Sequence, residues 1–172
     1  VAIKEFFSAH PNEMHPVTRA IIGGGADYSA VDAFDAAYRL QGLRRRAAAE
    51  MEKIDVLAVP TTPTIYTIEQ VEADPVRLNS NLGLYTNFAN LLDLAAIAVP
   101  AGMRADGLPA GITLIAPAFS EPLLCELGAR LHELSGVTLG ATRFALPATA
   151  GEFTAVADDA HVTVAVVGGT EQ

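Results

Sequence analysis

The 172-residue chain lacks features that several functional classes require. Its single cysteine, Cys125, excludes an internal disulfide and any metal site built from several cysteines. The four histidines are scattered without metal-ligand spacing. The apolar run Leu94–Met103 is too short to cross a bilayer and contains Pro100. No secretory signal pattern opens the chain, and a lone cysteine suits a reducing compartment, so we expect a cytoplasmic protein.

Positive charge is also scarce. The chain carries 20 acidic and 11 basic side chains, which gives a net charge of −9 and a pI of about 4.8. Nucleic acids and anionic membranes bind surfaces with clustered cations, so we expect neither as a partner. An anionic small substrate remains compatible with this charge, because a single arginine can bind an anion locally. The sequence leaves a homodimer open.

The remaining composition predicts a folded α/β protein. Hydrophobic residues make up 51% of the chain, enough for a sizeable core. Ser29 and Asp32 form a capping-box pattern that begins the longest predicted helix, to about residue 54. Apolar segments at 55–59, 95–99 and 110–116 predict buried strands, the first two as a parallel pair and the last two antiparallel. Pro100 should end the second strand, and residues 61–77 should be mostly loop. A further helix should begin at a Ser120 cap and end at Gly136, with one apolar stripe of Leu123, Leu124, Leu127, Leu131 and Leu134. The prediction is a mixed sheet flanked by helices.

A change of pattern near residue 140 predicts the domain organisation. We expect residues 1–140 to form the main unit and residues 141–160 to be a linker. Residues 161–168, HVTVAVVG, read as a strand that needs neighbours. We therefore expect residues 161–172 to begin a second C-terminal domain. The chain opens in mid-pattern at its N-terminus, which is typical of a piece of a longer protein.

The residues by themselves offer no convincing catalytic centre. Hydrolysis of an amide needs a nucleophile, a base and donors for the oxyanion. None of the serines lies in a nucleophile motif, and the lysines, Lys4 and Lys53, occupy solvated helical positions. Cys125 is expected to be a packed thiol. We predict no catalytic residue, no metal and no cofactor. The serines are Ser8, Ser29, Ser80, Ser120 and Ser135.

One continuous stretch, residues 55–124, carries a resemblance. It reads DVLAVPTTPTIYTIEQVEADPVRLNSNLGLYTNFANLLDLAAIAVPAGMRADGLPAGITLIAPAFSEPLL. It resembles the C-terminal half of an amidase signature family catalytic domain and is most similar to the allophanate hydrolases. The resemblance implies the C-terminal half of an amidase signature fold, with a Ser–cis-Ser–Lys triad in the half that precedes it. It also implies hydrolysis of allophanate, in urea breakdown, with release of ammonia and carbon dioxide and without a cofactor.

The same resemblance implies two substrate-binding residues. In allophanate hydrolases a tyrosine and an arginine, eight residues apart on the preceding helix, hold the substrate carboxylate, and the matching residues are Tyr38 and Arg46. Arginine suits this role because its planar fork binds a carboxylate bidentately and stays charged. Arg45 shares the helix face of Tyr38 more closely and stays open as the alternative. The other interpretation is a solvated arginine cluster, Arg44–Arg46, beside a packed tyrosine.

Two further functional hypotheses remain. The chain could belong to another amidase signature enzyme, such as a general amidase or an amidotransferase A-type subunit. It could instead be a non-catalytic α/β interaction module. Thr61, Thr62 and Pro63 are weaker pocket candidates, since they follow the carboxyl end of a predicted strand, where open α/β sheets bind ligands.

Overall fold

A computed structural model describes residues 3–10, 12–139, 142–146 and 161–167. The helical elements before the first strand are α1 Lys4–Ala9, α2 Pro16–Gly23, a 3-10 helix Gly24–Asp27 and α3 Ala30–Met51. The elements that follow are β1 Val56–Pro60, α4 Ile68–Ala73, α5 Pro75–Leu82, α6 Phe88–Leu91, β2 Leu94–Met103, β3 Pro109–Pro117, α7 Glu121–Ser135 and β4 Val164–Val166.

The strands form one mixed sheet in the order β2-β3-β1-β4. β3 pairs antiparallel with both β2 and β1, and β4 pairs parallel with β1. The predicted mixed sheet with flanking helices is confirmed, and so is the antiparallel pair of β2 and β3. β1 and β2 run parallel to each other as predicted, since both are antiparallel to β3, but they do not pair directly because β3 lies between them. Residues 113–116 of β3 are buried on both faces, which is typical of a central strand.

Prolines account for two further differences. β2 was expected to end at Pro100, but it continues to Met103 through a register shift between Pro100 and Gly102. Gly102 has a φ of +139°, a conformation that favours glycine and allows this irregularity. Residues 61–77 were predicted to be mostly loop, yet α5 begins at Pro75. Proline suits the first helical position, because the missing N–H has no intrahelical acceptor there.

The core lies between the sheet and α7. Val56 is 0% exposed and packs in one cluster with Leu114, Ala116 and Leu124. The predicted leucine stripe of α7 is confirmed except for Leu134, which is 85% exposed. The helix ends at Gly136, in the left-handed conformation, as predicted. Ser120 occupies the N-cap position but makes no capping hydrogen bond through its side chain.

The predicted start of α3 is confirmed in detail. The Asp32 backbone N–H donates to the Ser29 hydroxyl at 3.2 Å, and the Asp32 carboxylate accepts from the Ser29 backbone N–H at 2.8 Å. The Ser29 hydroxyl also donates to that carboxylate at 2.6 Å. These hydrogen bonds, the one from the hydroxyl above all, lower the pKa of Asp32. The helix ends at Met51, slightly before the predicted end, and Met51 is its only buried residue.

The strand predicted near the C-terminus is observed as β4. The backbone N–H of Asp55 donates to Thr163 O at 3.0 Å, and Thr163 N donates to the Asp55 carboxylate at 2.8 Å. Val167 N donates to Ala58 O at 3.0 Å at the other end of the pairing. β4 therefore extends the same sheet. The assignment of residues 161–172 to a second domain stays a prediction, and most of the predicted linker, 141–160, lies outside the described residues.

No helix among the described residues is both long and apolar enough to span a membrane.

The capping box predicts a pH-dependent contribution to the stability of α3. Ser29→Ala removes the acceptor for Asp32 N, and we expect it to lower the free energy of unfolding by about 1 kcal/mol at pH 7. Because the native pKa of Asp32 is lowered, its contribution is present above the unfolded-state pKa and is lost as pH falls through the native pKa. Urea denaturation of wild type and Asp32→Asn across acidic pH should therefore show a difference that shrinks toward low pH.

Asp35→Asn is the matched control, since Asp35 lies on the same helix and is exposed. Equal losses in Asp32→Asn and Asp35→Asn would contradict a specific cap.

Candidate functional site

The two predicted substrate-binding residues both lie on the exposed surface of α3. Tyr38 is 71% exposed, and Arg46 is also exposed. Neither side chain makes a hydrogen bond or ion pair with another described residue. Both polar groups are therefore available to a ligand or to another part of a protein.

The structure separates the three consecutive arginines. The Nε of Arg44 donates to the backbone carbonyl of Leu91, the last residue of α6, at 2.8 Å. Arg44 is half-buried, whereas Arg45 and Arg46 are exposed and have no partner among the described residues. The interpretation of all three as a solvated cluster is therefore wrong for Arg44. It remains open for the other two.

Helix geometry relates these side chains to the rest of the fold. An apolar groove of about 540 Å³ lies between α3 and α6 and includes Leu40, Leu43 and Ala47 of α3, with Arg46 among its lining residues. At about 100° per residue, Arg44 and Arg46 flank this leucine-rich side of α3 on opposite edges. Tyr38 lies about 80° beyond Arg46, so it faces away from the groove.

The side of α3 opposite the groove is an unpartnered apolar stripe, which we call the outer stripe and define as Val31, Phe34, Tyr38 and Gly42. The three larger side chains are mostly exposed. Apart from the adjacent residues and backbone of α3 itself, no described atom lies within 4 Å of the position that a Cβ at Gly42 would take. Contiguous exposed apolar residues of this kind mark contact surfaces in proteins.

The weaker pocket candidates lie at the carboxyl end of β1. Thr61 and Thr62 line a second groove of about 680 Å³ together with residues of β2 and β3. The Thr61 hydroxyl is 2.9 Å from that of the buried Thr113, and the Thr62 hydroxyl donates to Thr64 O at 3.1 Å. These hydroxyls serve internal hydrogen bonds, so the groove offers few unused polar groups.

The residues that could supply nucleophilic chemistry do not converge. All serines and both lysines lie within the described residues, and no hydrogen bond joins a serine to a lysine there. Lys53 pairs with Glu50 at 2.7 Å on the surface. Cys125 is exposed, so its prediction as a packed thiol is wrong. It lies one position after the buried Leu124, about 100° around α7, which turns it away from the sheet.

Sequence reasoning missed one buried ionic group. Glu126 is 1% exposed, and its carboxylate accepts from Arg130 at 2.7 Å. The spacing of four residues between them is the signal that could have found this pair. Its place on α7, the helix of the core, indicates a structural role.

Comparisons with known proteins agree with the fold. The Amidase family profile matches residues 4–125. The urea amidolyase of Saccharomyces cerevisiae is 47% identical over 134 residues, which cover 77% of this chain and 7% of that protein. The A subunit of the glutamyl-tRNA(Gln) amidotransferase of Maricaulis maris is 34% identical over 128 residues, 71% of this chain and 26% of that protein.

A solved structure points the same way. A variant of the Kluyveromyces lactis allophanate hydrolase superposes with a TM-score of 0.72 and 42% identity, covering 78% of this chain and 22% of that one. The chain thus spans less than a third of the length of each of these proteins.

The close approach of Gly111 in β3 to Thr61 predicts that alanine substitutions at Gly111 and at Gly42 change the free energy of unfolding in opposite directions. A Cβ at Gly111 would lie 2.9 Å from the Thr61 hydroxyl oxygen, and a displaced Thr61 would leave the Thr113 hydroxyl without its partner. We expect Gly111→Ala to lower the free energy of unfolding by about 1–3 kcal/mol. Gly42→Ala, on an open helix surface, should raise it by up to about 1 kcal/mol. Urea denaturation measures both, and equal stability of the two variants would contradict the contact.

Proposed function

The chain belongs to the amidase family, and from this membership we propose that it is the C-terminal part of an allophanate hydrolase. The complete enzyme would cleave linear C–N bonds and release ammonia and carbon dioxide from allophanate. The observation that carries the proposal is the higher identity to urea amidolyase and allophanate hydrolase than to the amidotransferase.

The chemistry requires a nucleophile from another stretch of polypeptide. A serine would attack the substrate carbonyl with a lysine as the ultimate base, and both would belong to the half of the domain that precedes this one in sequence. Donors to the oxyanion would be needed beside them. This chain would contribute strands to the sheet and a wall of the substrate pocket, since no serine pairs with a lysine among its described residues.

We propose that Tyr38 and Arg46 bind the carboxylate of the substrate. Their unpaired polar groups and their exposure on neighbouring sides of α3 support this role. The two residues are about 12 Å apart along the helix axis. Helical side chains all tilt toward the N-terminus, so the tilt moves both residues the same way, and the long side chain of Arg46 would have to reach back along the helix toward Tyr38. The guanidinium would give the substrate a local positive site in a chain whose net charge is −9.

The proposed protein acts in the cytoplasm on a small anionic amide. A single exposed cysteine suits a reducing compartment. The acidic composition disfavours nucleic acid and anionic lipid as partners.

The first test supplies the preceding half of the domain, which would carry the nucleophile and the base, and asks whether activity appears. This chain is mixed with, or fused behind, the part of the Kluyveromyces lactis allophanate hydrolase that precedes the region of similarity. We expect no ammonia release from allophanate by the purified chain alone and measurable release by the completed enzyme. Phe34→Asp should impair the completed enzyme, because it would bury a charge at the outer stripe. It should leave the melting of the isolated chain nearly unchanged, since Phe34 is exposed there.

Ile68→Asp is the matched control on α4, where the side chain is somewhat more exposed than Phe34 and lies outside the outer stripe. Hydrolysis of allophanate by the isolated chain would refute the proposal that the active site is shared between this chain and the preceding half of the domain. A cooperative, monomeric chain that never associates with the other half would favour the non-catalytic module.

The second test separates allophanate hydrolase from a general amidase. Arg46→Lys keeps the charge but loses the bidentate fork, so we expect the completed enzyme to lose roughly 10- to 100-fold in kcat/KM for allophanate. The inhibition constant of biuret, the neutral analogue with an amide in place of the carboxylate, should change little. Arg45→Lys is measured in parallel, and a selective loss there would assign the carboxylate to Arg45.

Arg77→Lys serves as the control, since Arg77 lies on α5 in an exposed ion pair with Asp74. Equal losses for allophanate and biuret would support another amidase family enzyme, an alternative that the similarity to the amidotransferase keeps in view.

A further inference from the structure

We propose that Arg44 is a positioning residue that fixes the rotation of α3 about its axis and so aims Arg46 at the substrate carboxylate. This inference rests on the proposed function. It adds a residue that contacts no substrate and whose effect on binding passes through its neighbour.

The first observation is how loosely α3 is tied to the fold. Of its residues only Met51, at the C-terminal end, is buried. Within the described parts of the chain, the bond from Arg44 to Leu91 O is the only side-chain hydrogen bond between α3 and another helix or strand. Among the described residues, the turns that carry the proposed substrate-binding residues are held by this one polar tether and by the apolar groove beside it, whereas the outer stripe would be covered by the other half of the completed enzyme.

The second observation is that the acceptor of this hydrogen bond is a carbonyl at the end of a helix. Leu91 is the last residue of α6, and carbonyls in the last turn of a helix lack an intrahelical donor. A guanidinium satisfies such a carbonyl with a charge-assisted hydrogen bond. Leu94, three residues later, begins β2. The bond thus links α3, through a short connection, to the strand that flanks β3 in the sheet.

Because Arg44 and Arg46 belong to the same rigid helix, the hydrogen bond of Arg44 also fixes the position of the Arg46 side chain. Arg44 and Arg46 are about 200° apart around the axis, with the groove-facing leucines on the shorter side between them. Side chains lie about 5–6 Å from the axis, so a roll of about 10° displaces them by about 1 Å. A misplacement of this size can cost a binding or catalytic group about a hundredfold. Loss of the Arg44 bond should therefore weaken carboxylate binding without removing any group that binds it.

The test uses the completed enzyme and compares Arg44→Gln with Arg44→Lys. We expect Arg44→Gln to raise the KM for allophanate roughly tenfold, while kcat and the inhibition constant of biuret change little. Arg44→Lys keeps a cationic donor near Leu91 O and should restore part of the affinity. In an Arg46→Lys background, Arg44→Gln should have little further effect, because the two residues act through one interaction.

Each other outcome is decisive. Equal losses for allophanate and biuret, or additive effects of the two substitutions, would assign Arg44 a merely structural role and overturn the inference. A selective effect of Arg46→Lys without one of Arg44→Gln would overturn the inference alone. A folded, completed enzyme that is inert, or one in which Arg46→Lys is not selective, would refute the proposed carboxylate site and this inference with it.

Discussion

The pairing of β3 with two neighbours is the interaction on which the rest of the fold depends. β3 holds β2 on one edge and β1 on the other, and its residues 113–116 are buried on both faces. Because β1 is fixed in this way, the preceding segment is fixed as well. Met51 packs into the interior five residues before Val56, and from there α3 extends outward. Two contacts therefore connect the helix that carries Tyr38 and Arg46 to the sheet: the buried side chain of Met51, and the hydrogen bond from Arg44 to Leu91 O.

Local sequence rules predicted the elements better than their arrangement. The cap at Ser29 and the stop at Gly136 depend on neighbouring residues alone, and both are confirmed. The order of the strands depends on which strand is buried on both faces, and three similar apolar segments do not reveal this. The predictions at two prolines were wrong, because proline can interrupt a strand but can also begin a helix. Pro100 lies within β2, and Pro75 begins α5, and only the tertiary context distinguishes these roles.

The candidate site shows where reading a sequence reaches its physical limit. Three consecutive arginines are equivalent in sequence, and the carbonyl that Arg44 binds belongs to a residue 47 positions away. Only the tertiary fold distinguishes it from Arg45 and Arg46. The assignment of Tyr38 and Arg46 came from family resemblance, since neither spacing nor burial selects them, and it remains a prediction. Exposure of Cys125 followed from helix angle, a rule that was available but was outweighed by the usual burial of cysteine.

The distribution of buried and exposed surface gives the strongest physical argument for a shared site. The sheet and α7 enclose a core of their own, so this part of the chain has a reason to fold. By contrast α3 has a well-capped start and a length of 22 residues, yet its outer stripe of valine, phenylalanine and tyrosine faces solvent. A long helix gains most of its stability from packing an apolar face, but the leucine-rich side of α3 only lines a groove with α6, where Leu43 and Leu91 stay about half exposed. The unpaired cations beside that stripe then lie at the border between this unit and whatever covers it, which is where a pocket built from two stretches of polypeptide would bind an anion.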